Sequence, residues 1–272
     1  MRRSASALLG ALLVSASSVS AAPPAALDPP PKATDWASLA KLPDWSGTWI
    51  PDVANQNAQI ASNPPPWKPE VAGQVAKLAA QEKAGHPKGL FVDCLPQGMP
   101  ALMLKSHNAI EILFTPGRIT LLGESDGNRL RRIHTDGRKH PEDPDPSFFG
   151  DSVGVWQGDT LVVDTVGVLP QTYVAVSEAL GIPNDGDLHV TERIHLTGPD
   201  TLADDLTIEA PKILAGPWKT TRLFNRNRQR NFEILEGVCL QGKFTDGVDA
   251  DGHAAFLPLE YQEGGAPLPP RK

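Results

Sequence analysis

Short runs in which hydrophobic and polar residues alternate dominate the chain from Ala109 onward. Alternation with a period of two is typical of strands that bury one face. Turn-forming pairs such as Pro116-Gly117 and Gly158-Asp159 separate these runs. Because consecutive hairpins make antiparallel sheet, the pattern predicts a meander that closes into a β-barrel. Four runs in the second half bring the total to about ten candidate strands: 188–196, 201–209, 219–225 and 231–235.

A helical period occurs once, between a proline-rich stretch and Gly85. Val71, Val75 and Leu78 recur at the spacing of one helix face. Pro69 suits a first helical turn, and a glycine suits the end of a helix. The predicted fold class is therefore all-β, an antiparallel meander closing into a barrel, with one short N-terminal helix over 70–84.

Residues 1–21 have the pattern of a signal peptide. Arg2 and Arg3 form a basic start, a brief apolar run follows, and Ala21 ends a stretch of small residues suited to cleavage. The apolar run is too short for a permanent anchor, so we predict no integral membrane span. Residues 22–43 are proline-rich and predict an extended arm. We expect one domain over 44–262, a loose tail over 263–272, and a periplasmic or secreted mature protein.

Composition narrows the class of protein further. The chain of 272 residues contains 27 prolines and 24 glycines and only 6% aromatic residues, which argues against a helical bundle. A hydrophobic content of 40% is enough for a sizeable core. The formal net charge of −7 gives no electrostatic reason to bind nucleic acid or an anionic membrane. The expected partner is a small-molecule substrate, and the oligomeric state stays open.

Export changes the interpretation of the two cysteines, Cys94 and Cys239. Two cysteines in an oxidising compartment predict a disulfide bond that links the start of the domain to its end. A bridge across so long a loop would stabilise the fold by about 4 kcal/mol in the chain-entropy model. The alternatives are two buried free thiols or a catalytic cysteine.

The densest polar segment is 131–146, with the sequence RRIHTDGRKHPEDPDP. If a strand runs into this segment, Arg132, His134 and Asp136 share one face. Gly137 then ends the strand. We predict His134 and Asp136 as catalytic residues and Arg132 as a substrate-binding residue, because they combine a cation, an imidazole and a carboxylate.

The loop that follows places Arg138 and His140 at the predicted mouth of the barrel. Arg138 is a candidate to bind a carboxylate or phenolate, and His140 is a candidate acid or base near neutral pH. The alternative interpretation of the whole segment is a surface turn with ion pairs, since exposed charged turns are common.

Two carboxylates lie among apolar neighbours in predicted strands. Asp164 must find a partner or raise its pKa, and Arg132 is the partner that the sequence offers. We predict Asp164 as a catalytic residue, and the alternative is a structural ion pair or a hydrogen bond to turn amides. Glu192 occurs in an otherwise apolar row. If that row faces the barrel interior, Glu192 is a lone interior carboxylate and a candidate general base; if both faces of the strand are covered, His189 and His195 become candidates as well. Tyr173 follows the strand of Asp164 and is a candidate substrate-binding residue at the rim, or a packing residue.

No cofactor is predicted, because the chain lacks a G-x-S-x-G elbow, a Walker loop, a dinucleotide fingerprint and a C-x-x-C-H haem site. No metal ligands are predicted either. His189 and His195 are too far apart on one strand to chelate an ion unaided. The set of His134, Asp136 and His140 is geometrically possible but lacks the compact spacing of known zinc motifs.

The chain carries, in order, an SGTW start, C-x-P-x-GMP, a DGR-x-HP loop, GDTLVVDT and V-x-ER. These motifs occur in the same order in a family of exported soil-bacterial proteins, which the chain resembles. The SGTW start, at 46–49, is also similar to the Gly-x-Trp start of lipocalin-type barrels, which implies a lipocalin-like fold. The resemblance spans most of the mature chain.

These observations favour a periplasmic, cofactor-independent enzyme that performs lyase- or isomerase-type acid–base chemistry on a small aromatic or partly apolar metabolite in a barrel pocket. The first alternative is a non-catalytic, lipocalin-like binding protein in which the same polar residues orient a ligand. The second alternative is a metal-dependent hydrolase.

Overall fold

A computed structural model describes residues 29–85, 95–124, 128–177 and 180–237, together with the backbone of 244–248 and 254–258. The chain divides into two units, Met1–Pro31 and Lys32–Lys272, and every element below belongs to the second. The predicted signal peptide, the two cysteines and the predicted tail lie outside the described residues.

Strands make up most of the regular secondary structure in the described residues, as the alternating pattern predicted. Their bounds in chain order are β1 Gly47–Pro51, β2 Ile110–Thr115, β3 Arg118–Gly123, β4 Leu130–His134, β5 Asp151–Gln157, β6 Thr160–Val166, β7 Tyr173–Ala175, β8 Gly181–Pro183, β9 His189–Gly198, β10 Thr201–Glu209, β11 Trp218–Arg226, β12 Phe244–Val248 and β13 Ala254–Pro258. The prediction of a strand over 231–235 is wrong, because these residues form no strand.

Nine of the strands form a closed barrel in the order β1-β11-β10-β9-β6-β5-β4-β3-β2. The ring closes at β1, where Trp49 pairs with Ile110 of β2 on one side and with Arg226 of β11 on the other. The prediction of an all-β barrel is confirmed. β12 pairs with β13 and β7 pairs with β8 in separate two-stranded sheets.

The barrel departs from a pure antiparallel meander at β4 and β5, which pair in parallel. Parallel neighbours need a long connection that returns the chain to the same end of the sheet. The connection here is the polar segment between His134 and Asp151. A second departure is that β6 pairs with β9, so the small β7–β8 hairpin interrupts the hairpin order.

Four helices occur among the described residues, where the sequence predicted one. The predicted helix is α3, Pro69–Lys83, within a residue of its expected bounds. α2, Val53–Ser62, begins at Asp52, whose side chain accepts a hydrogen bond from the backbone N–H of Asn55 at 2.9 Å. The short helices are α1, Ala33–Leu39, which lies inside the segment expected to be an extended arm, and α4, Ala101–Leu104. Among the described residues, none of the helices has the length and apolar character needed to cross a membrane.

Large apolar side chains fill the inside of the barrel. Trp45, Trp49 and Phe224 are essentially inaccessible to solvent. One cavity among the apolar side chains, which lies beside Ile133 and Leu161, measures about 10 Å³. A volume of that size holds at most about one water molecule, so this part of the interior is packed core rather than a ligand pocket.

Candidate functional site

Five ionisable side chains form a continuous hydrogen-bonded chain on the outer wall of the barrel. We call Asp151, His140, Asp164, His189 and Glu209 the histidine–carboxylate chain. His140 lies between two carboxylates, with Nδ1 at 2.5 Å from Asp151 Oδ1 and Nε2 at 3.0 Å from Asp164 Oδ2. His189 continues the chain, with Nε2 at 2.5 Å from Asp164 Oδ1 and Nδ1 at 3.1 Å from Glu209 Oε2. Asp164 therefore binds two imidazole rings, one through each oxygen.

Sheet register brings three members of this chain together. His189 and Glu209 are direct partners across β9 and β10, and Asp164 of β6 pairs with Thr191 of β9. Because side chains alternate between faces, His189 and Thr191 project to the same side. Val163 and Thr165, the neighbours of Asp164, are buried inside the barrel. Asp164 and His189 therefore lie next to each other on the outer wall.

The parallel β4–β5 connection supplies the other two members. His140 lies within this connection, and Asp151 is the first residue of β5. Gly150, just before Asp151, has a φ of +66°, and a Cβ at this position would be 2.4 Å from the Val166 carbonyl oxygen. Only glycine fits so close to a neighbouring backbone, so Gly150 fixes the point at which Asp151 enters the sheet.

Both imidazole rings have a carboxylate at each nitrogen. A neutral imidazole donates from one nitrogen only, whereas the imidazolium ion donates from both. For His189, burial lowers the pKa of the ring, but the hydrogen bonds and charges of Asp164 and Glu209 outweigh burial and raise that pKa above its ordinary value. His189 is therefore an imidazolium ion over a wider range of pH than a free histidine.

One end of the histidine–carboxylate chain opens into a surface groove of about 450 Å³. His189 and Glu209 line this groove together with Lys68, which precedes α3, and Asp187, which precedes β9. The rest of the lining is small or apolar and consists of Ala210, Pro211, Leu214, Ala215, Gly216 and Pro217. The volume falls in the range of small-molecule sites, and an ionisable imidazole faces it. This groove, with the chain behind it, is the candidate functional site.

The described residues contain no group of three or more histidine, cysteine, aspartate or glutamate side chains arranged to hold a metal ion. In the histidine–carboxylate chain each imidazole nitrogen faces a carboxylate oxygen rather than a shared central point. Its arrangement suits proton transfer along hydrogen bonds.

Glu192 faces the interior, but the expectation of a lone carboxylate is wrong. Arg131 donates from Nη1 to Glu192 Oε1 at 2.8 Å and from Nη2 to Oε2, and both side chains are inaccessible to solvent. Nη2 of Arg131 also lies 3.4 Å from the Ser152 hydroxyl and 3.3 Å from the Thr165 hydroxyl. This interior ion pair fixes Glu192 in the core, away from the groove.

A third ionisable side chain, Asp204, lies beside the interior ion pair. Asp204 is fully buried, and its two oxygens accept no hydrogen bond from the described residues. Burial raises the pKa of the Asp204 carboxyl well above its ordinary value, Glu192 raises it further, and Arg131 opposes them. The protonated form of Asp204 therefore persists to a higher pH than in a free aspartic acid, and this form can donate its proton toward Glu192.

Three of the predicted residues of the polar segment lie apart from the groove. Arg138 makes a two-pronged ion pair with Asp136, with Nε at 3.0 and 2.9 Å from the two carboxylate oxygens. This pair lowers the pKa of Asp136 and occupies the guanidinium. Burial and the charge of Arg138 lower the pKa of His134, which favours a neutral ring.

The remaining predicted residues also differ from their expected places. Arg132 is exposed and is not the partner of Asp164, which binds His140 and His189 instead. Tyr173 belongs to the separate β7–β8 hairpin and does not line the groove. Of the eight predicted catalytic and substrate-binding residues, the structure brings His140 and Asp164 into one hydrogen-bonded site.

Sequence reasoning missed His189, Glu209, Asp151 and Lys68 as members of the site. His189 begins the strand that carries Glu192 on its other face, and the sequence made it a candidate only if both faces of that strand were covered. The useful signal was the strand pattern itself. An outward histidine at the start of β9 and an outward carboxylate in β6 meet when those two strands pair.

No protein-family model matches this chain, and a search of curated proteins finds no match. The fold and the geometry of the site are therefore the basis of the functional argument.

Proposed function

We propose that this protein is an enzyme that performs lyase- or isomerase-type acid–base chemistry on a small, partly apolar metabolite. The substrate binds in the groove on the outer wall of the barrel, next to His189. The observation that carries this proposal is that Asp164 holds Nε2 of His189 while Nδ1 of the same ring contacts Glu209, and that His189 and Glu209 both line the groove. A carboxylate behind an imidazole fixes the orientation of the ring and stabilises its cationic form.

The two nitrogens of His189 have different partners and different roles. Nε2 is held at 2.5 Å by Asp164, which His140 fixes from its other side. Nδ1 is 3.1 Å from Glu209, a side chain with 47% of its surface exposed. The longer bond to the more exposed partner is the one that a substrate can replace. In this proposal Nδ1 is the atom that exchanges a proton with the substrate.

The proton balance of an elimination fits this pair. His189 donates the Nδ1 proton to the departing group, and Glu209 removes a proton from the adjacent carbon, so a new double bond forms as the carbon–leaving-group bond breaks. The hydrogen bond between Glu209 and His189 then returns the proton to Nδ1. For an isomerisation, the same two groups move one proton between two carbons without loss of a group.

Export and family membership are also part of the proposal. They are supported by the basic start, apolar run and small residues of 1–21, and by the ordered motifs shared with exported soil-bacterial proteins. N-terminal sequencing of the exported protein, with cleavage after Ala21 as the expected result, tests the first of these points.

Hydrogen–deuterium exchange at carbon tests the chemistry without knowledge of the product. The purified protein is incubated in deuterium oxide with a panel of small carboxylic acids and phenols, and mass spectrometry detects deuterium incorporation or conversion. We expect turnover of at least one compound, with a loss of roughly 100-fold or more in the His189→Gln variant.

His195→Gln is the matched control, because His195 lies on the same strand and outside the histidine–carboxylate chain. It should retain the activity of the unchanged protein. If compounds bind but every one is recovered without exchange or conversion, the protein is a binding protein rather than an enzyme. Equal activity of the two histidine variants would remove His189 from the mechanism.

A further inference from the structure

We infer that the groove is a site for a small organic anion and that Lys68 binds the anionic group through its ammonium. The inference rests on the proposed function for the role of His189, and it adds the substrate class: a carboxylate or phenolate with an apolar body.

Most of the charged groups around the groove are already paired. Asp187 lies 3.7 Å from the ammonium of Lys212, and Glu209 lies 3.1 Å from His189. Lys68 has no carboxylate within ion-pair distance in the described part of the chain. A lysine that lines a groove and has no acidic partner can bind an anion through its ammonium, and a carboxylate or phenolate supplies a hydrogen-bond acceptor for it.

The backbone around Lys68 holds this residue in a fixed position. Its N–H donates to the Ile213 carbonyl at 3.0 Å, and Ala215 donates to the Pro66 carbonyl at 2.8 Å. Trp67 forms a bridge with Leu214 between these two bonds. The start of α3 is thus tied to the loop that forms the apolar side of the groove, so Lys68 and that side keep their relative positions.

The apolar side defines the rest of the ligand. Ala210, Pro211, Leu214 and Pro217 line the groove and offer hydrocarbon surface with no side-chain hydrogen-bonding group. An apolar ligand body gains free energy when it covers such surface, at about 25 cal/mol for each Å² removed from water. A compact anion with one polar end therefore fits better than a sugar or a peptide, whose polar groups would lose their hydration along this side.

Benzoate and its neutral counterpart benzamide are the probes for the anion site. Isothermal titration calorimetry of the whole protein should show that benzoate binds roughly tenfold or more tightly than benzamide. Lys68→Gln should weaken benzoate binding by about the same factor and leave benzamide binding unchanged. Lys68→Arg keeps a cation at this position and should restore the preference for benzoate.

Lys77→Gln is the matched control, because Lys77 is an exposed residue of α3 and does not line the groove. It should bind benzoate as the unchanged protein does. Lys68→Met keeps the aliphatic part of the side chain and replaces the glutamine variant if that variant fails to fold. The inference is overturned if benzoate and benzamide bind equally, if benzoate does not bind, or if the Lys68 and Lys77 variants behave alike.

Failure of this inference and failure of the proposed function give different results. The His189→Gln variant should lose exchange at carbon, whereas the Lys68→Gln variant should lose the preference for benzoate over benzamide. An anion preference without any turnover contradicts the proposed chemistry and leaves the anion site intact. Turnover with no dependence on Lys68 contradicts the anion site and leaves the chemistry intact.

Discussion

Replacement of Asp204 by asparagine should stabilise the protein relative to the unchanged chain, and by more as the pH rises. Asp204 is inaccessible to solvent in β10, and burial together with Glu192 raises the pKa of its carboxyl well above the ordinary value of 3.8. The native carboxyl stays protonated at a pH where the unfolded one has released its proton. Asparagine has nearly the same shape and keeps a hydrogen-bond donor, but it does not titrate.

The size of the effect follows from proton linkage. Above the unfolded pKa the native state holds one proton more than the unfolded state, so the free energy of unfolding falls as the pH rises. The stability from Asp204 is fully present below the unfolded pKa and is lost as the pH rises through the raised native pKa. Within that window the slope is about 1.4 kcal/mol for each pH unit. The asparagine variant lacks this slope.

Urea unfolding at several pH values from about 4.5 to about 7.5, followed by tryptophan fluorescence, measures this difference. Trp49 and Trp218 are buried in the barrel and report its unfolding. Asp159→Asn, in the exposed turn between β5 and β6, is the control for loss of a carboxylate and should keep the slope of the unchanged chain. If the free energy of unfolding of Asp204→Asn differs from that of the unchanged protein by the same amount at every pH in this range, the pKa of Asp204 is not raised in the folded protein.

Two further predictions concern the other charged clusters. Glu192→Gln should destabilise the protein by about 3–5 kcal/mol in urea unfolding, because it leaves the buried Arg131 guanidinium without its counter-charge; a loss no greater than that of Asp159→Asn would contradict the ion pair. Asp164→Asn should lower the pKa of His189, measured by NMR titration of its ring, because Asp164 is the larger of the two carboxylate influences that raise this pKa. Asp205→Asn, beside His195, should leave the His189 titration unchanged, and an unchanged titration in Asp164→Asn would argue against the hydrogen bond between them.

The alternating pattern was enough to predict the barrel because the core residues of each strand repeat every second position. β6 shows this clearly, with Leu161, Val163 and Thr165 inside. The same pattern could not decide which face of β4 is inside. Arg131 and Ile133 share the buried face, although Arg131 carries a charge, because Glu192 is available inside the barrel to pair with it. That pairing joins residues 61 positions apart, and no local pattern contains it.

The functional site was only partly predictable for the same reason. His140 and Asp164 were identified from residue type and local context, and the structure places them in one hydrogen-bonded chain. Their placement depends on two non-local features, the parallel pairing of β4 with β5 and the pairing of β6 with β9. Hairpin order predicts neither of these pairings. The sequence pattern therefore did not predict that His189 and Glu209 lie in the same site as His140 and Asp164.

The groove lies on the outer wall of a barrel whose apolar interior is densely packed, and this separates two kinds of evolutionary change. Lys68, Asp187 and Glu209 line the groove and lie outside the set of buried core residues. Substitution of such residues removes little buried surface. It therefore lowers the small free energy of unfolding of the protein only slightly. Ligand preference in this protein can therefore diverge through successive substitutions in the groove while the core stays the same, without the loss of stability that often accompanies new function.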